Sequence, residues 1–417
     1  MVTSFESSTT IIVQAPWLVP ITSPVIKDGA VLLQGNRIRA IGTSQEIRKD
    51  YPNTPVRCYQ GVLMPGLVNA HMHLELSVFG TVKPEGEDSN MCEWIRALLK
   101  KRMAATFTEA EIFAAAERVV QDQYASGVVL LLDIGNSILP AFSHPTPEIC
   151  SLLEMLGPTK DATDLAMDSV SELSDDIGVT GHAPYSTSPQ LLQNLKRRSL
   201  LQNGLFSLHV AENPDESLLL LEGDGCFFDF LQDRGALDGT FPLPENENLS
   251  VLDYLNKFDI LDKNSICVHC VHLSADEIEI LAQSECHVCL CPGSNRFLYV
   301  GKAPLEQILE HGILPALGTD SIASNPVLDM WREMALLRKE YPEIPSEKVL
   351  QMATLGGAKA MHRDNDYGSL ANGQSANFIA VQDTMLENVQ NEDQLLDRLT
   401  TIGRPESVVR VWPFKDA

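Results

Sequence analysis

Apolar positions alternate over short stretches early in the chain, in IIVQAPWLVP and KDGAVLLQGNRIRAIG. This period of two predicts half-buried strands, with Asp28-Gly29 and Gly35-Asn36 as the turns between them. From Gly61 the texture changes. Apolar runs such as LMPGLVNAHMH, GVVLLLDIG and LPALGTD alternate with segments of helical period, which is the rhythm of β/α units. Candidate parallel strands fall near 62–70, 127–133, 150–156, 177–182, 205–210, 265–269, 286–291 and 313–319. Two intervening helices carry their own start signals: Thr108 with Glu111 and Ser274 with Glu277 form capping boxes, in which each side chain satisfies the other's backbone N–H. The expected fold is α/β, a (β/α)8 TIM-like barrel over 63–365. From Gly368, GSLANGQSANFIAV returns to β-type alternation, so 1–62 and 366–417 are expected to join as a small β-sandwich built from both chain termini. The segment Glu222–Ser250 is irregular and reads either as a lid over a pocket or as a surface excursion whose Phe227, Phe228 and Phe230 fill a satellite core.

Composition narrows the function classes. With 417 residues, 44% apolar and 21% charged, the chain can bury a large core, and wholesale disorder is excluded. Lys+Arg 31 against Asp+Glu 56 gives a net charge of −25, which repels phosphate backbones and anionic lipid surfaces. Nucleic acid and membranes are therefore not expected as partners, and the densest basic run, Lys100-Lys101-Arg102, is short. A small-molecule substrate is expected, with a homo-oligomer left open. The start, MVTSFESSTTIIVQ, has no basic n-region and no export-length apolar run, so a cytoplasmic address is expected and the nine cysteines read as reduced thiols.

The candidate chemistry sits where strands end. His71 and His73 close the first barrel strand, His182 the fourth, His209 the fifth, His269 the sixth and Asp320 the eighth, and the C-terminal strand ends of such a barrel converge on one rim. Residues two apart on a strand face the same way, so His71 and His73 can grip one ion. Joined by His209 and Asp320, they offer three imidazoles and a carboxylate. Zinc is the leading choice for that set, with iron, manganese and nickel also served. Glu212, three residues after His209, places a carboxylate beside the ion or is an acid at a helix N-terminus. His269 hydrogen-bonds the ion's water or is a satisfied core histidine, and His272 reads as structural. Cys267-x2-Cys270 and Cys286-x2-Cys289 have the spacing of a four-cysteine zinc site, but each pair lies in a strand-like run that sends its thiols to opposite faces. No H-E-x-x-H, phosphate-binding Gly loop or G-x-S-x-G elbow is present.

In order along the chain, MPGLVNAHMHLELS, GHAPYSTS, LHVAE, HCVHLS, CPGSN, ALGTDSIASN and GSLANGQSANFIAV resemble the amidohydrolase superfamily, in its branch of nucleoside and aminopurine deaminases. HMHLELS is similar to aminodeoxyfutalosine deaminases of the alternative menaquinone pathway. The resemblance implies that His71, His73, His209 and Asp320 bind one divalent metal, that Glu212 shuttles protons, that His269 orients the water and that His182 contacts substrate. It also implies a mononuclear centre, because GVTGHAPYS lacks the lysine that carries a bridging carbamate. Relatives acting on methylthioadenosine and S-adenosylhomocysteine place a ribose-binding Glu some nine residues after the tryptophan that matches Trp94; here that stretch ends Lys100-Lys101-Arg102-Met103. Arg102 either meets a substrate carboxylate, as on aminodeoxyfutalosine, or is a solvated helix residue, and Glu75 either touches substrate or braces its strand. Deamination of aminodeoxyfutalosine is the leading expectation. The alternatives are an S-adenosylhomocysteine or methylthioadenosine deaminase, or an amidohydrolase or chlorohydrolase of another heterocycle such as guanine or a triazine. A barrel that binds ligand without turnover would be expected to have lost one of these residues.

Overall fold

The computed structural model describes residues 10–83, 90–143, 145–239 and 249–411. The strands, in chain order, begin with β1 (Thr10–Leu18), β2 (Ile26–Gln34), β3 (Arg37–Thr43), β4 (Val56–Cys58) and β5 (Val62–Pro65). Then come β6 (Leu67–Met72), β7 (Val128–Gly135), β8 (Glu148–Met155), β9 (Gly178–Gly181), β10 (Phe206–Val210), β11 (Ser265–His269), β12 (His287–Leu290) and β13 (Ala316–Leu317). The last are β14 (Phe378–Val381) and β15 (Val408–Arg410).

Strands β6 to β13 form two four-stranded parallel sheets, β6-β7-β8-β9 and β10-β11-β12-β13. Every residue of β7, VVLLLDIG, is buried, as befits parallel strands covered on both faces. Backbone hydrogen bonds bridge the two sheets at both seams: His209 N donates to His182 O (2.9 Å), and Thr319 N and Asp320 N donate to His71 O (3.1 and 3.0 Å). The second seam depends on Gly318, where a Cβ would stand 2.8 to 3.0 Å from the Cβ, O and N of His71. The parallel strands follow the expected order, and both capping boxes form.

The stretch expected as one strand over 62–70 is two. The chain breaks at Gly66, whose missing side chain leaves room for Val129, so that β5 joins the terminal sheet and β6 the parallel one. That terminal sheet has seven strands in the order β15-β14-β5-β1-β2-β3, with β4 also paired to β1, and so unites both ends of the chain. Asp28-Gly29 lies inside β2 and not at a turn: Ala15 pairs with Gly29 and Trp17 with Lys27. Pro16, which has no N–H to give, stands between, and Asp28 turns to a positive φ of 51° without interrupting the ladder. The C-terminal part also carries an unexpected helix, Glu392–Ile402, which buries Leu395, Leu396 and Leu399 and packs against the helices Met330–Glu340 and Ser346–Gln351.

The cysteines correct a second expectation. Cys92 and Cys226 form a disulfide with Cα atoms 6.1 Å apart, while seven cysteines stay free. The partners are 134 residues apart in sequence, so the pairing exists only once the helices Met91–Ala104 and Cys226–Asp233 face each other. Among the described residues, no metal-type grouping includes Cys267, Cys270, Cys286 or Cys289, and no helix is long and apolar enough to cross a membrane.

Candidate active site

The strand ends of both parallel sheets supply one buried cluster. His71 ends up 1% exposed and His73 8%, their rings perpendicular with centroids 4.8 Å apart. Asp320 Oδ1 lies 3.8 Å from His71 Nε2 and 3.5 Å from His73 Nε2. His209 stacks on His73 at 5.4 Å and on His269 at 5.3 Å. Glu212 Oε1 is 3.6 Å from His269 Nε2. Backbone geometry aims some of these groups: His269 (φ 71°) and Asp320 (φ 57°) occupy the left-handed region, which non-glycine residues adopt sparingly and which clusters at functional sites.

The outward-facing atoms are tied down. His73 Nδ1 pairs with Ile134 O (2.8 Å), His209 Nδ1 with His182 O (2.9 Å) and His269 Nδ1 with Asn295 Oδ1 (2.8 Å). Such anchors fix the tautomer and turn each Nε2 lone pair inward. Asp320 accepts from Ser294 Oγ (2.6 Å), Ser324 Oγ (2.9 Å) and Ser321 N (2.6 Å). His71, by contrast, has no partner on either ring nitrogen, and His269 none on Nε2. Buried imidazole nitrogens without partners, beside an anchored carboxylate, fit a divalent metal ion.

Electrostatics sorts the groups. Burial holds His71 and His209 well below the usual histidine range, helped by the neighbouring imidazoles, so both are neutral and ready to ligate. Burial alone would raise Asp320, but His73, His269 and His71 and the Ser294 hydroxyl outweigh it and hold the carboxyl ionised. Glu212 goes the other way: burial, reinforced by the Asp320 charge, pushes it well above the carboxylate range.

A cavity of about 280 Å³ opens onto this cluster, and His73, His182, His209, Glu212 and Asp320 reach it. Its outer wall includes Trp94 and Arg102, with Glu75 deeper in. Trp94 Nε1 donates to Val82 O (3.1 Å) and Ala323 O (3.3 Å). Arg102 is not merely solvated: it donates to Asn136 Oδ1 (3.0 Å) and to Glu75 Oε1 (3.3 Å). The irregular segment divides between its two readings, since Phe227 is buried in the core while Phe230 and Leu231 line the cavity. Residues 240–248 of it lie outside the described residues.

The sequence matches the amidohydrolase family over residues 62–412. The chain belongs to that family. Among relatives, a 5-methylthioadenosine/S-adenosylhomocysteine deaminase of Moorella thermoacetica is 27% identical, over 87% of this chain and 83% of its own. Among solved structures, the aminofutalosine deaminase of Helicobacter pylori, in complex with methylthio-coformycin, aligns with TM-score 0.78 at 21% identity, covering 96% of this chain and all (100%) of that one. A zinc-bound adenosine deaminase from Xanthomonas campestris aligns with TM-score 0.73 at 21% identity, covering 96% and 91% of the two chains.

Sequence reasoning about this amidohydrolase missed the supporting residues. Ser294 and Asn295 stand in CPGSN and Ser324 in ALGTDSIASN, segments that carried the resemblance without showing what their side chains hold. Glu154 was also missed. It is the penultimate residue of β8, in the run ICSLLEML, where a lone acid among apolar residues was the available signal.

Proposed function

We propose that this amidohydrolase is a mononuclear, metal-dependent deaminase of a 6-aminopurine nucleoside-like substrate. The observation that carries the reading is the buried set His71, His73, His209 and Asp320, with Glu212 and His269 on its cavity side. In this reading the two parallel sheets close as a (β/α)8 barrel over 63–365, and the ends, 1–62 and 366–417, build a β-sandwich domain against it. Those four side chains would hold one divalent ion, zinc first. An ion there would lower the pKa of a water and so supply a nucleophile at neutral pH.

The chain's own groups do the rest. Asp320, ionised, and His269, with Nε2 open, take up the proton that the nucleophile loses as it adds to C6 of the ring. Glu212, kept protonated by burial, donates to the adjacent ring nitrogen, then takes the proton of the added hydroxyl and delivers it to the departing amine, so that ammonia leaves and C6 becomes a carbonyl; the proton held by Asp320 and His269 returns Glu212 to its acid form. His182, Glu75, Arg102 and Trp94 frame the remainder of the substrate from the cavity wall. Arg234 on that wall favours a substrate with a carboxylate, such as aminodeoxyfutalosine of menaquinone biosynthesis, while Arg102 is paired with Glu75. The name of the Moorella relative favours methylthioadenosine or S-adenosylhomocysteine as the second reading. No nucleic acid or membrane partner belongs to this reading. A cytoplasmic address does, with Cys92–Cys226 as one reducible bond among free thiols.

The test is ammonia release and the accompanying ultraviolet change on zinc-loaded protein, offered aminodeoxyfutalosine, methylthioadenosine, S-adenosylhomocysteine, adenosine and guanine. Turnover of at least one aminopurine nucleoside is expected. Turnover of guanine alone, or of none, overturns the reading.

A further inference from the structure

We propose that Glu154 is a specificity-determining residue whose free carboxylate oxygen accepts a hydrogen bond from a hydroxyl of the substrate's sugar; this rests on the aminopurine nucleoside reading above. A chain of polar contacts crosses the cavity wall. Ser137 Oγ donates to Glu75 Oε2 (3.0 Å), Arg102 joins Glu75 Oε1 (3.3 Å) to Asn136 Oδ1 (3.0 Å), and Asn136 Nδ2 donates to Glu154 Oε2 (3.0 Å). Every carboxylate and amide oxygen along it has a partner except one, Glu154 Oε1. Glu154 is 6% exposed and lines the cavity, with a carboxylate oxygen within 4.8 Å of ring nitrogens of His182 and His209.

A buried acceptor left unmatched is costly, and an ionised one more so. Arg102 already answers Glu75 and leaves Glu154 Oε1 unmatched. An O–H or N–H donor placed there completes the set. Position then selects the donor. Glu212 and His269 approach from the sheet containing β10 and β11, and Glu154 from the sheet containing β8, so a substrate in the cavity meets Glu154 from the other sheet. Apart from the amino group that is removed, the donors on a purine nucleoside are the hydroxyls of its ribose. The amine of an amino-acid tail is the other source of the same chemistry.

Glu154→Gln separates these. Its amide oxygen can keep the Asn136 contact while its NH2 puts a donor where the open acceptor was. The measurement is kcat and KM of zinc-loaded wild type and variant on adenosine, 2′-deoxyadenosine, 3′-deoxyadenosine, methylthioadenosine and S-adenosylhomocysteine. Wild type is expected to favour adenosine over at least one deoxy analogue by about tenfold or more, through KM. The variant is expected to shrink that ratio below about threefold, while kcat on the deoxy analogue stays within about threefold of wild type. Three outcomes overturn the proposal: no hydroxyl preference in wild type, equal loss on all substrates in the variant, or a loss confined to the preference for S-adenosylhomocysteine over methylthioadenosine, which assigns the oxygen to the tail amine. If wild type turns over no aminopurine, the deaminase reading fails separately. Calorimetric titration with inosine and 2′-deoxyinosine then still reads the hydroxyl preference at Glu154, and its absence overturns this proposal.

Discussion

Two carboxylates reach one cavity, and the structure holds them in opposite protonation states: Asp320 ionised by the imidazoles and serines around it, Glu212 protonated by burial and by the charge of Asp320. An acid and an anion side by side are what a hydrolytic deamination needs, since both protons of the attacking water must be taken up and two delivered, one to the ring nitrogen and one to the amine. Replacing Glu212 with Gln removes the donor and leaves the four proposed ligands intact. Metal content by elemental analysis is expected to match wild type, while kcat falls by about 10²- to 10⁴-fold; a near-normal rate would remove Glu212 from the mechanism. At this scale the sequence was legible where spacing carries geometry. His71 and His73 must share a face of a strand, and Asp320 and His209 stand at strand ends in the same register. Glu154 was not legible as a site residue, because a lone acid near the end of an apolar run reads equally well as solvent-facing. Only packing against Asn136 and the imidazoles shows it buried with one oxygen open.

Helices set the cavity's outer wall and its response to solution conditions. Cys92 lies in the first turn of the helix that carries Trp94 and Arg102, and Cys226 begins the one that carries Phe230, so their disulfide clamps two sides of the mouth together. Reduction, or Cys226→Ser, is expected to raise KM by about three- to tenfold with little change in kcat, and to lower stability by about 2–4 kcal/mol. Thiol counting before and after reduction, set beside the KM, checks both. Pairings of this kind are invisible to a sequence read for local pattern, and reduced thiols were expected from the cytoplasmic address alone. A different helix, Met330–Glu340, carries the buried Glu333, which accepts from Gly293 N (2.6 Å) and Asn325 Nδ2 (2.8 Å). Burial pushes its carboxyl up from 4.5 to about 8. The folded state therefore binds this proton more tightly than the unfolded chain does. The stabilisation is complete below pH 4.5 and is lost as pH rises through about 8, by up to about 1.4 kcal/mol per unit. Melting curves from pH 5 to 9 should show Tm falling in wild type and a flatter profile in Glu333→Gln; equal slopes would remove Glu333 as the cause.

Across the whole molecule, the proposed metal ligands come from both parallel sheets: His71 from β6 and His209 from β10, with His73 and Asp320 following β6 and β13. An ion bound there ties the two halves together, so its removal should be felt as stability as well as rate. Dialysis against a chelator is expected to abolish turnover and lower Tm, and zinc should restore both. At a free metal concentration about 1,000 times Kd, the linkage is worth about 4 kcal/mol. An unchanged Tm on metal removal would argue against this ligand set. The charge of −25 bears on macromolecular partners only, since cations stand on the cavity wall of an acidic protein. The β/α order was readable because buried parallel strands and capped helices leave strong local signatures. The terminal sheet was harder to read, because pairing between β5 and β14 depends on the intervening chain having folded.

That pairing also sets an order of events during synthesis. β5 leaves the ribosome after its partner β1, but the partner of its other edge, β14, emerges only hundreds of residues later. Throughout that interval an apolar strand edge is exposed on the nascent chain and open to pairing with another copy. Slow elongation lengthens this exposure, so the yield of folded enzyme depends on how quickly the last strands are delivered.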